Sequence, residues 1–172
     1  MNIVLIGMSG AGKSTLGVLL AKTLGMDFVD TDILIQQTAG NLLQDIIDTE
    51  GTEKFLKVEE KIISGLNLKN SVVATGGSVV YSKKAMEALK QAGRIVYLDV
   101  PFREIEKRLR NISGRGIVIT KGKGLKDVYA ERVPLYQKYG EITVRCAHKD
   151  IEGCVREIAH LLGSSTFLLE KS

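Results

Sequence analysis

Short apolar runs alternate along this chain with longer stretches in which apolar residues recur every three or four positions. The runs at residues 3–6, 27–30, 71–75, 94–99 and 142–144 have strand length, and the first, third and fourth are rich in Val and Ile. Runs of that kind suit strands buried on both faces. The periodic stretches predict helices over residues 13–24, 33–37, 42–49, 53–66, 83–91, 102–111, 125–139 and 151–162. In the last of these, Ile151, Cys154, Val155, Ile158, Ala159 and Leu162 share one face, with Lys149, Glu152 and Arg156 off it. Strands alternating with helices are the signature of βαβ units, so the chain reads as an α/β protein with a mostly parallel sheet. A single domain over residues 1–162 is expected, followed by a tail at 163–172 that has no period and is expected to fray.

Composition narrows the class without naming a function. An apolar share of 44% and a charged share of 26% over 172 residues match an ordinary soluble domain. No apolar run approaches the ~20 residues of a bilayer span. The opening run at residues 2–6 is too short for a signal-peptide core, so a cytoplasmic location is expected. Cys146 and Cys154 stand eight apart with only two histidines in the chain, which excludes a zinc site and a disulfide framework and leaves them as small apolar or surface residues.

Charge changes the picture in one place. The formal net charge is +4, and residues 111–126 alone carry Arg115, Lys121, Lys123 and Lys126 with no acid. Within that segment Gly114, Gly116, Gly122 and Gly124 interrupt any period, and residues 112–124 are therefore read as a basic lid suited to closing over phosphates. The segment holds no aromatic residue, so base stacking is unsupported and no nucleic-acid partner is expected. The expected partner is a small hydroxyl compound, and the expected state is a monomer away from membranes.

The strongest chemical signal follows the first strand. Gly7-Met8-Ser9-Gly10-Ala11-Gly12-Lys13-Ser14 satisfies the G-x-x-x-x-G-K-[ST] pattern between a strand and a helix. Glycines let successive backbone amides turn toward a phosphate, and the next helix adds unsatisfied N–H groups and the positive end of its dipole. Ser9, Gly10, Ala11, Gly12, Lys13, Ser14 and Thr15 are thus the candidate nucleotide-binding residues, with Lys13 reaching the terminal phosphates. Ser14 offers a hydroxyl to Mg²⁺. Lys13-Ser14 also argues against a plain dinucleotide fingerprint, which uses neither group. No N-K-x-D stretch is present, so a GTPase switch is not indicated.

Asp30-Thr31-Asp32 stands at the end of the second strand, where ligands gather above a parallel sheet. Two carboxylates there divide naturally into one that holds magnesium, Asp30, and one that orients or deprotonates an attacking hydroxyl, Asp32. The plainer use is an N-cap on the next helix, for which Asp32 alone would serve.

With these residues in place the chain resembles the shikimate kinases, from Asn2 to about Leu162. The resemblance implies a three-layer α/β sandwich around a five-stranded parallel sheet, with P-loop kinase architecture, a closing lid, Mg-ATP as donor and shikimate as acceptor. It assigns Asp32 to the hydroxylated substrate and Gly76-Gly77-Ser78 to the turn after the third strand. It assigns Arg115 to the transferred phosphate and Arg108 to the adenine. Arg132-Val133-Pro134-Leu135-Tyr136 matches its R-x-P-L-Y segment, whose arginine clamps the substrate carboxylate.

The chain departs from that pattern at the acceptor. The G-E-x-x-F-R-x-x-E segment appears as Gly51-Thr52-Glu53-Lys54-Phe55-Leu56-Lys57-Val58-Glu59, so Leu56 replaces a substrate-binding arginine. Lys54, or Lys57 in a shifted register, is the available compensation. Ser78 replaces a glycine, Gly116 follows Arg115 in place of proline, and Arg145 with Ile151 alters the adenine loop. Two alternatives to shikimate phosphorylation follow. One is a kinase of another hydroxyl metabolite such as homoserine, with Glu59 receiving its ammonium group and Arg132 its carboxylate; the other is an ATP-binding protein without catalysis.

Overall fold

The structure, a computed structural model, describes residues 1–110, 118–119 and 122–163. Arg115, most of the expected lid and the tail from residue 164 lie outside the described residues. The five expected strands are present as β1 (Asn2–Ile6), β2 (Asp27–Asp30), β3 (Ser71–Ala74), β4 (Gly93–Asp99) and β5 (Ile142–Arg145). The helices are α1 (Lys13–Leu24), α2 (Thr31–Ala39), α3 (Leu43–Glu50), α4 (Thr52–Ser64), α5 (Lys83–Ala92), α6 (Phe102–Arg110), α7 (Leu125–Tyr139) and α8 (Ile151–Leu161).

All strand pairs are parallel, in the order β2-β3-β1-β4-β5. A parallel sheet needs cover on both faces, and Ile3, Val4, Leu5 and Ile6 of β1 are each at most 1% exposed. Right-handed crossovers decide which helix covers which face. The connection from β1 runs over β3 to reach β2, whereas the connection from β3 runs back over β1 to reach β4. Their helices therefore leave on opposite faces: α1 packs on α8, and α4 packs on α5. At the carboxyl ends of the neighbouring strands β1 and β3 this divergence opens a crevice, the place where doubly wound sheets hold ligands.

Three local differences from the sequence reading have physical causes. Helix α2 starts at Thr31 because Asp30 Oδ1 accepts the Asp32 amide at 2.9 Å; Asp30 is the cap, and Asp32 lies inside the first turn. A 3-10 turn at Val79–Tyr81, too short to show a period, was not foreseen. In α8, Cys154, Val155, Ile158 and Ala159 are buried as expected, but Ile151 is 41% exposed at the helix start. A second apolar cluster, separate from the sheet core, joins Ile35, Leu43, Ile46, Phe55 and Val118 among α2, α3 and α4.

The amino end of the sheet is fastened by one side chain. Asn2, 3% exposed, donates from Nδ2 to the carbonyls of Leu68 (2.8 Å) and Ala92 (3.1 Å) and accepts the Ser71 amide at 3.0 Å. It thus ties β1 to the chain entering both flanking strands. Asn2→Ala takes the partner from the buried Ser71 amide and from the part-buried Leu68 and Ala92 carbonyls, and is expected to destabilise the fold by about 2 kcal/mol, a fall of ~4–8 °C in Tm. Thermal and urea unfolding measure it, and an unchanged urea midpoint would show that the clamp is dispensable.

Candidate active site

The loop between β1 and α1 has the shape a phosphate requires. Gly10 and Gly12 hold φ of 83° and 93°, conformations that cost a side chain dearly, and Gly12 leads directly into α1. The amides of the first helical turn carry no side-chain cap, which suits an anion seated there. Lys13 is 7% exposed and donates to the Gly7 and Met8 carbonyls at 2.7 and 2.8 Å, so its ammonium lies against the loop it is expected to serve. Ser14 Oγ donates to Asp30 Oδ2 at 2.6 Å. These two oxygens, a hydroxyl and a carboxylate, are the hard ligands that magnesium takes, and both face the same cleft. Among the described residues no cluster of three His, Cys, Asp or Glu offers an all-protein metal cage. That fits a metal that shares its shell with phosphates and water.

Two cavities meet along Gly10, Gly12 and Thr15. One, of about 280 Å³, lies over the crevice between β1 and β3 and is lined by Ser9, Lys13, Ser14, Asp30, Asp32 and Gly77 among others. Ile33, Gln36, Leu42 and Gln44 form its outer wall, residues that sequence reasoning did not single out. The second, of about 340 Å³, lies on the other side of the loop against Ala11, Arg108, Lys149 and Ile151. Arg108 donates to the carbonyls of Gly10 (3.1 Å) and Ala11 (3.3 Å), and Glu104 holds it at 3.2 Å. Cys146 and Cys154 are both buried and line this second cavity, neither being a surface residue.

The turn after β3 carries the other half of the site. Thr75 Oγ1 donates to the Leu5 carbonyl at 2.9 Å, fixing the turn to β1, and the Gly76 amide donates to Thr31 Oγ1 at 3.3 Å, fixing it to α2. Tyr136, fully buried and stacked on Tyr97, donates to the Gly77 carbonyl at 2.6 Å. Side chains are excluded at both glycines. A Cβ on Gly76 would sit 2.7 Å from Glu59 Oε1 and 2.8 Å from Asp32 Oδ1, and one on Gly77 would sit 3.0 Å from Arg132 Nη1. The missing side chains therefore admit two carboxylates and a guanidinium to one small space.

Arg132 has no exposed surface. Its Nε donates to the Tyr81 hydroxyl at 3.2 Å, its Nη2 donates to the Val118 carbonyl, and its guanidinium lies over the Tyr81 ring. Among the described residues Nη1 has no hydrogen-bond partner. Glu59, 2% exposed, accepts from Ser78 Oγ at 2.8 Å through Oε2, while Oε1 has no hydrogen-bond partner among the described residues. Burial pushes the Glu59 carboxyl up to about 7, and the charge of Asp32 adds to the rise. The Ser78 bond, Arg132 and Lys13 work against it.

A model of the family described as shikimate kinase matches residues 9–162. A shikimate kinase of Francisella tularensis subsp. holarctica is 34% identical over 99% of this chain and 96% of its own. One of Vibrio vulnificus is 35% identical over 95% of this chain and 97% of its own. The chain belongs to the shikimate kinase family. Among solved structures, shikimate kinase from Acinetobacter baumannii in complex with shikimate has a TM-score of 0.87 at 31% identity, covering 95% of this chain and 93% of that one. The three-layer fold expected from the resemblance is thus the fold of the family.

The departures from the shikimate kinase pattern become physical here. Leu56 is partly buried against the cluster of Ile35 and Phe55, where a hydrocarbon side chain is at home. The lysines beside it lie at the surface, Lys54 paired with Glu50 at 2.6 Å and Lys57 with Glu53 at 2.9 Å. Ser78, in place of glycine, supplies the hydrogen bond to Glu59.

Glu59 also predicts a pH dependence of stability. Its folded-state value lies above the ordinary 4.5, so folding favours the protonated form. Between the two values the unfolded chain releases a proton that the folded chain keeps, and stability falls as pH rises through that window. Relative to Glu59→Gln, the unsubstituted protein is expected to lose on the order of 3 kcal/mol between about pH 4.5 and 7. Paired urea titrations across that range measure the gap; a constant difference would show that Glu59 stays ionised in the fold.

Proposed function

We propose that this protein transfers the γ-phosphoryl group of ATP to a hydroxyl of shikimate, giving shikimate 3-phosphate. One observation carries the reading: the phosphate loop, Asp32 and the Gly76–Gly77 turn that carries Arg132 against it all border a single crevice. The triphosphate lies along Gly10 to Thr15, with its base toward Arg108. Ser14 and Asp30 would hold magnesium, which would supply neutralisation of the phosphate charge.

Asp32 orients the acceptor hydroxyl and takes its proton as the new O–P bond forms and the β–γ bridge breaks to release ADP. Lys13 moves from its loop carbonyls to the terminal phosphates and spreads their charge. Arg132 Nη1, which has no hydrogen-bond partner among the described residues, takes the acceptor carboxylate. Arg115 from the lid is assigned to the moving phosphoryl.

Purified protein with Mg-ATP in a coupled ADP assay decides the matter. Shikimate should be turned over, and homoserine and gluconate should not; ADP release with either of those and none with shikimate would overturn the reading. Lys13→Ala is expected to lower kcat by roughly 10²–10³-fold. Arg132→Ala should raise the shikimate KM by about ten- to a hundredfold with a smaller effect on the KM for ATP, since it removes a charge-assisted contact made to the acceptor alone.

A further inference from the structure

We propose that Glu59 takes up a proton when a carboxylate-bearing acceptor binds, so that this residue sets how acceptor affinity varies with pH. The inference rests on the reading above only in needing an anion seated on Arg132.

Geometry isolates the two groups involved. Among the described residues Glu59 Oε1 and Arg132 Nη1 are buried without hydrogen-bond partners, Oε1 beside Gly76 and Nη1 beside Gly77, and both Glu59 Oε1 and Asp32 Oδ1 border the space a Cβ on Gly76 would fill. The groups that bear on Glu59 come from each surrounding element: Asp32 from α2, Lys13 from α1, Arg132 from α7, and Ser78 from the turn. Tyr136, also from α7, feels Glu59 and stays neutral because burial raises its own value. The charged side chains of α3 and α5 are exposed. Leu56 brings no charge, and Lys54 and Lys57 are engaged at the surface. Arg132 and Lys13 are therefore the cations that favour ionised Glu59.

An anion arriving on Arg132 cancels much of that attraction and adds a negative charge within the same dry space. Burial already pushes the acid up to about 7. The arriving carboxylate raises it further, and a proton enters from solvent with the ligand. Above pH 7 acceptor affinity then falls by up to about tenfold per pH unit until the bound-state value is passed. Ser78 Oγ, which donates to Glu59 and favours its ionised form, sets where the fall begins.

Calorimetry of shikimate binding at pH 7.5, in two buffers of different ionisation enthalpy, counts the protons directly. Net uptake between zero and one is expected for the unsubstituted protein, none for Glu59→Gln, and a KM for shikimate that no longer varies with pH in that variant. Ser78→Ala, which keeps the acid, should take up less at pH 7.5 and move the onset of affinity loss to higher pH. Zero uptake by the unsubstituted protein, or uptake that survives Glu59→Gln, overturns the proposal. Cyclohexanecarboxylate, which has the carboxylate and no hydroxyl, separates the two readings. Glu59-dependent proton uptake with it supports the proposal even if shikimate is not turned over, whereas turnover of shikimate without uptake sinks the proposal and spares the activity.

Discussion

A guanidinium with no exposed surface obliges its surroundings to receive it, and Arg132 organises the acceptor side of this molecule on those terms. An unpaired buried charge is costly, so each nitrogen must find an acceptor, a ring face or a ligand. Tyr81 supplies a hydroxyl and a ring, Val118 supplies a carbonyl, and the Glu59 carboxyl stands nearby across Gly76 and Gly77. Among the described residues that leaves Nη1 without a hydrogen-bond partner.

The sheet makes such burial possible. Crossovers that diverge from β1 and β3 hold open a crevice at their carboxyl ends. Thr75 pins the turn after β3 to the end of β1, and Thr31 pins it to the start of α2. Because Tyr136 grips the Gly77 carbonyl from α7, the same helix that delivers Arg132 also fixes the turn against which Arg132 rests. The turn after β3 is thus set against β1, α2 and α7 by hydrogen bonds between side chains and backbone, which favours the positional precision phosphoryl transfer demands.

Much of this was legible in the chain because it is contiguous there. A phosphate loop is a run of neighbours, so Gly7 to Ser14 declared itself, and five apolar runs sufficed to place five strands. The paired aspartates were legible as a pair, but not which of them caps α2, since that depends on a backbone bend that no period records. Contacts made at long range stayed hidden. Glu59 and Ser78 meet across 19 residues, and Arg132 and Tyr81 across 51, with no spacing rule to link them. Leu56 was visible as a missing arginine, yet only the packing of α2, α3 and α4 shows that it belongs to an apolar cluster. The cysteines, read as inconspicuous, line the cavity beside Arg108 because the loop after β5 folds back toward α1.

The two cavities share Gly10, Gly12 and Thr15 as a common wall. A substitution in that wall is therefore felt on both sides of the loop at once.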